Sequence, residues 1–138
     1  MKDSFDVTQG IWSLLNVDSI KALLGTTGKI HQTERPPSRT TFTDIVINCL
    51  GITNNQIQKG SGNINCYVPS LTSGPTKADQ FKLKALSRKV IELVDEQYKN
   101  TFQTWIEESP VLMQDTDLSW FMNVQFEYQS MQTNFKRV

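Results

Sequence analysis

The stretch SWFMNVQFEYQSMQ, Ser119 to Gln132, alternates with period two: Trp120, Met122, Val124, Phe126 and Tyr128 fall on one face, and Phe121, Asn123, Gln125, Glu127 and Gln129 on the other. Successive side chains of a strand point to opposite faces, so this alternation, rich in aromatics, predicts a half-buried β-strand in a sheet covered on one side. At roughly 3.3 Å per residue it would run to about 45 Å, beyond the usual ~17–20 Å. A strand of that length is expected to bend, or to extend past its own domain to meet a partner.

Immediately upstream, Val111-Leu112-Met113 predicts a short strand, and Asp115-Thr116-Asp117 a turn that makes it the hairpin partner of the last strand. Residues 101–108 fit two readings: a helical continuation through Phe102, Trp105 and Ile106, or a strand through Phe102, Thr104 and Ile106. The Glu107-Glu108 pair and Pro110 end it either way. Before it, Pro75 and Thr76 open the longest helix, expected to run to Lys99, about 36 Å at 1.5 Å per residue. Its core stripe is Leu83, Leu86, Val90, Leu93 and Val94, with Phe81 and Tyr98 near the ends and Lys82, Lys84, Arg88, Lys89, Asp95 and Glu96 mostly opposite.

Thr43 to Leu50 (TDIVINCL) is apolar on both faces and predicts a central strand. Asn63 to Val68 (NINCYV) predicts the next, closed by Pro69. The Ile-Asn-Cys tripeptides at 47–49 and 64–66 suit two neighbouring antiparallel strands. Between them, Asn54-Asn55 and Gly60-Ser61-Gly62 mark a flexible connection. Towards the N-terminus, Phe5, Ile11, Leu14 and Leu15 form a helical stripe that breaks after Asn16, restarts at Asp18 or Ser19 and ends at Gly25. Lys29 to Gln32 predicts a short strand, stopped by Arg35-Pro36-Pro37-Ser38. This order predicts an α+β fold, an antiparallel β-sheet with the long helix and the shorter N-terminal helix packed on one face. The 138 residues fit a single domain, 1–138.

Hydrophobic residues make up 38%, and no run approaches the roughly 18 apolar residues needed to span a bilayer. MKDSFDVTQG lacks the apolar core of a signal peptide, so an intracellular product is expected. Fourteen Lys and Arg balance fourteen Asp and Glu, which leaves no general field for a polyanion. The distribution is uneven: Thr101 to Phe135 contains no Lys or Arg, yet holds Glu107, Glu108, Asp115, Asp117 and Glu127. That stretch reads either as an acidic solvated edge or as a surface that repels a polyanion or docks a basic partner.

Residue chemistry names no reaction. His31 is the sole histidine and lies far in sequence from Cys49 and Cys66, which read as buried structural thiols. Asp115 and Asp117 imitate the start of a calcium loop, but its glycine and its acidic last ligand are replaced by Trp120 and Phe126, so the segment reads as a plain turn. Gly60-Ser61-Gly62 lacks the Lys-Ser/Thr ending of a phosphate loop. No residue is assigned to catalysis, to a cofactor or to a metal. The aromatics of the last strand would serve base stacking only within a basic surround, and theirs is acidic.

In element order the chain resembles phage tail-completion, or tail-terminator, proteins. The features that carry the likeness are a helix ending in Leu23-Leu24-Gly25, a strand leading to prolines from Lys29 to Pro37, two β-strands, a long helix, and a C-terminal hairpin whose last strand is long and aromatic, Trp120 to Gln132. The resemblance implies a non-enzymatic virion protein, assembled in the host bacterial cytoplasm. It further implies a homo-oligomeric, typically hexameric ring that caps the tail tube, joins it to the head connector, and lets DNA pass without specific binding. In such a ring the last strand and its hairpin would supply intersubunit edges, and Arg35 to Thr41 and Ile52 to Gly62 would suit docking. The alternative is a small α+β module that binds nucleic acid or protein.

Overall fold

The structure, a computed structural model, describes residues 1–71 and 77–132. Helices α1 (Ser4–Leu15) and α2 (Asp18–Leu24) precede strands β1 (Ile30–Gln32), β2 (Asp44–Ile52) and β3 (Ile57–Val68). Then come α3 (Gln80–Val94), β4 (Gln97–Tyr98), β5 (Gln103–Ile106), β6 (Val111–Gln114) and β7 (Trp120–Met131). The strands form one sheet in the order β1-β2-β3-β7-β5-β4, with β6 paired to β7. Every pairing is antiparallel except β1 with β2. This is the expected α+β architecture, with one parallel pair added because residues 33–43 carry the chain from the end of β1 back to the start of β2.

β7 pairs with β3 from Trp120↔Val68 to Met131↔Ile57. Its other side is taken by β6 at the N-terminal half and β5 at the C-terminal half. The last strand is therefore the centre of the sheet, and the expectation that it offers an intersubunit edge or reaches beyond its domain is corrected. Its backbone donors and acceptors are already engaged on both sides. The predicted faces hold: Val124, Phe126 and Tyr128 are buried against the helices, with Trp120 and Met122 packed beside them. On the opposite face Asn123 donates to Asn63 Oδ1 at 3.1 Å and to Asn65 Oδ1 at 2.8 Å.

The core lies between the sheet and the helices. Val7, Ile11 and Leu15 of α1, Ile20 and Leu24 of α2, and Leu83, Leu86, Val90 and Val94 of α3 meet Ile45, Ile47, Ile64 and Cys66. Phe5 is not part of this stripe; it is exposed, and Val7 takes its place. Asp3 caps α1 with Asp6 in a reciprocal capping box. α2 begins on Val17 without a side-chain cap, so neither Asp18 nor Ser19 has that role, while Gly25 does end it. The expected opening of the long helix at Pro75 and Thr76 falls outside the described residues. α3 starts after Asp79, which caps it, and stops at Val94, short of Lys99. Asp95 is extended there, and its carboxylate accepts from the Ile106 amide at 3.0 Å, while Thr104 donates to the Val94 carbonyl at 2.7 Å. The same bonds hold residues 103–106 as a strand, which settles the open choice for that segment.

The segment read as a flexible connection is the larger departure. Ile57 to Gly62 is the first half of β3, and Gly60 and Gly62 lie within it. A Cβ on Gly62 would run into the Asn48 carbonyl and come within 2.7 Å of the Phe126 ring. The glycine there makes room for an aromatic from the neighbouring strand, so it belongs to packing. At the far end of the core Lys2 Nζ donates to Tyr128 Oη at 2.9 Å and lies over the Phe102 and Tyr128 rings. Gly62→Ala is expected to destabilise the fold by about 2–3 kcal/mol through overpacking. Gly60→Ala, whose Cβ meets nothing closer than 3.1 Å, should cost visibly less. Urea denaturation of both variants is the measurement.

Candidate assembly surface

The pleat separates His31 from both cysteines. His31 pairs in register with Val46 on the face away from the helices, whereas Cys66 and Cys49 belong to the helix-covered core. Burial pushes the Cys66 thiol up to about 12, which makes it a poor nucleophile. Among the described residues no group of three or more His, Cys, Asp or Glu side chains is arranged to hold a metal ion. Nor is any described helix long and apolar enough to cross a membrane.

His31 instead joins a polar cluster centred on Asp44, a fully buried carboxylate at the start of β2. Arg39 Nε donates to Asp44 Oδ2 at 2.7 Å and Arg35 Nε at 3.2 Å, while the Lys29 amide donates to Oδ1 at 2.9 Å. His31 Nε2 lies 3.4 Å from Oδ1, buried and without a hydrogen bond. Burial alone would raise the Asp44 pKa, but the bonds from Arg39, Lys29 and Arg35 outweigh it and hold the carboxyl down at about 2. Arg35 stacks on Tyr67 at 4.1 Å and donates to the carbonyls of Arg39 and Phe42. The segment from Arg35 to Thr41, expected to be free for docking, is thus clamped to the sheet at both arginines. The one signal for this cluster in the sequence is a lone aspartate opening an otherwise apolar strand, shortly after two arginines.

Among the edges the fold leaves open is the one beyond β6. All four residues of β6 are exposed, and it pairs only with β7. Val111, Leu112 and Met113 are 53%, 39% and 45% exposed, and Leu118 in the adjoining turn is 55% exposed. Leu118 also holds a φ of 69°, a left-handed conformation costing an apolar L-residue about 1–2 kcal/mol. Across a groove of about 380 Å³ runs α3, with Leu83, Lys84, Arg88 and Pro110 among the lining residues. Phe81, expected to help close the core, is 84% exposed beside it, and Lys82, Lys84 and Arg88 are exposed along the same helix. An unprotected apolar edge strand is a template for another chain.

The acidic stretch does not form one wall. Asp115 and Asp117 sit in the β6–β7 turn, where Asp115 accepts from Tyr67 Oη at 3.0 Å and Asp117 from the Ser119 amide at 2.9 Å. This is the plain turn expected there. Glu107 and Glu127 instead share the rim of a depression on the face away from the helices, with Leu50, Gly51 and Ile52. Partial burial, then the charges of Glu127 and Glu108, push the Glu107 carboxyl up.

No family model matches the chain. A search of curated proteins finds no match either. Among solved structures, a chain of the "Virion of native gene transfer agent (GTA) particle" is similar to it at a TM-score of 0.60 and 10% identity, covering 94% of this chain and 96% of that one. At that identity the likeness shows a shared fold.

Two outcomes follow from the Asp44 cluster and the strained turn. An unfolded aspartate titrates near 3.9, above the folded value, so the Asp44 contribution is complete above about pH 4 and is lost as the pH falls through about 2. Asp44→Asn should cost about 3 kcal/mol at pH 7 and lack the acid loss of about 2 kcal/mol expected of the unmodified protein, measured by urea unfolding across that range. Leu118→Gly should leave stability unchanged or raise it by up to about 1 kcal/mol, because it removes strain without removing a core contact. A loss above 1 kcal/mol on denaturation would mean that Leu118 packs within the protomer.

Proposed function

We propose that the chain is a structural protein of a phage-type virion, of the tail-terminator kind. It assembles into a ring that caps the tail tube, joins it to the head connector and carries out no reaction of its own. The observation that carries this reading is the end-to-end likeness to a chain of a gene transfer agent virion, with 94% of one and 96% of the other covered. It supports a component of a phage-type virion; the tail-terminator role rests on the resemblance in the order of elements. The exposed apolar strand beside a basic helix supports an assembly role, since contiguous apolar surface held in water marks an interaction site. The reading places the protein in the virion, with tail-tube and connector proteins as partners and DNA passing unbound.

The nucleic-acid alternative finds less support. Phe126 and Tyr128 are fully buried and Phe121 nearly so, which removes them as stacking platforms. Arg35 and Arg39 are engaged with Asp44.

Light scattering across a concentration series up to millimolar, with and without DNA, tests the proposal. A closed species of about six 15.7 kDa chains, indifferent to DNA, is expected. A monomer at every concentration overturns the ring. A monomer that takes up DNA with a steep salt dependence establishes the alternative.

A further inference from the structure

Two exposed patches on this protomer are apolar at the centre and opposite in charge. The first is the α3–β6 groove, where Phe81 and Leu112 stand beside Lys84 and Arg88. Phe81 is 84% exposed, and neither Lys84 nor Arg88 forms an ion pair among the described residues. The second is the depression on the face away from the helices. Leu50 stands 72% exposed at a β-bulge between Cys49 and Gly51, and Glu107 and Glu127 flank it. Lys59 lies at the same rim and leaves the patch with a net negative charge.

The two patches belong to opposite sides of the sheet, so they do not meet within one copy. Bulges usually turn a side chain towards some task, and a leucine raised into water by one has no role inside the protomer. We propose that these patches are the two halves of one contact: the basic, apolar α3–β6 groove of one copy seats on the acidic, apolar Leu50 depression of the next. Charge complementarity names the occupant, because each patch presents what the other lacks. The contact joins different surfaces, so it repeats head to tail and closes into a ring when the rotation allows. The inference rests on the ring reading and deepens it by naming the surfaces.

Charge exchange tests it by sedimentation velocity on the full chain. Lys84→Glu with Arg88→Glu makes both patches acidic, and Glu107→Lys with Glu127→Lys makes both basic, so each double variant should assemble at least about tenfold more weakly. The quadruple variant, and an equimolar mixture of the two double variants, restore opposite charges and should recover assembly. Leu50→Ser is an independent variant at an exposed site. It should weaken assembly without lowering the melting temperature, which circular dichroism checks for every variant. Unmodified protein that assembles while all the variants assemble equally well overturns this contact and leaves the ring standing. Failure of the quadruple variant and of the mixture to recover overturns the charge pairing. Unmodified protein that stays monomeric overturns the ring and the contact with it.

Discussion

The pairing of β3 with β7 is the constraint on which the rest of the structure depends. Two twelve-residue strands lie in register along their whole length, and each central residue of one fixes the face on which its neighbour's side chain falls. A slip by a single residue would carry Val124, Phe126 and Tyr128 to the wrong side and bring Asn123 and Gln125 into the core. The Asn123 bonds to Asn63 and Asn65 on one face, and the space left by Gly62 for Phe126 on the other, both hold only in the native register. The helices close over a surface that this pair defines, and β5 and β6 divide the remaining edge of β7 between them.

Burying Asp44 imposes a second requirement. A carboxylate fully removed from water is tolerable only with paired charge and hydrogen bonds. Arg35, Arg39 and the Lys29 amide supply them, and in doing so they draw the proline-containing segment down against Tyr67. A segment whose composition suggests a free loop is thereby made part of the sheet's second face. The cluster ties this segment to the start of β2.

Where burial ends, the molecule keeps features that folding does not use. β6 is apolar and exposed, Leu118 is strained and more than half exposed, Phe81 projects from α3, and Leu50 rises on a bulge. Each is unfavourable or neutral for an isolated protomer. Taken with the charges around them, they are the surfaces that the proposed contact between copies uses.

The alternating pattern of the last strand, the β-branched run at residues 43–50, the helical stripe from Leu83 to Val94 and the stop at Gly25 determined the elements and the α+β class. They act through periods and propensities that operate within a few residues. The open and closed faces of β7 were legible for the same reason. That β7 would be the centre was not legible, because strand order depends on which edges find partners, and β5 and β6, consecutive in the chain, share the edge of β7 that β3 leaves free. Gly60-Ser61-Gly62 reads locally as a loop, and the Asn48 carbonyl of β2 and the Phe126 ring of β7 explain the glycine at 62 within a strand. The Asp44 cluster likewise joins residues that no motif links, since desolvation is felt only when the sheet closes. Tertiary structure alone decided which apolar residues stay in water: a helical or strand period shows that a residue has a side to face, and packing determines whether anything covers it.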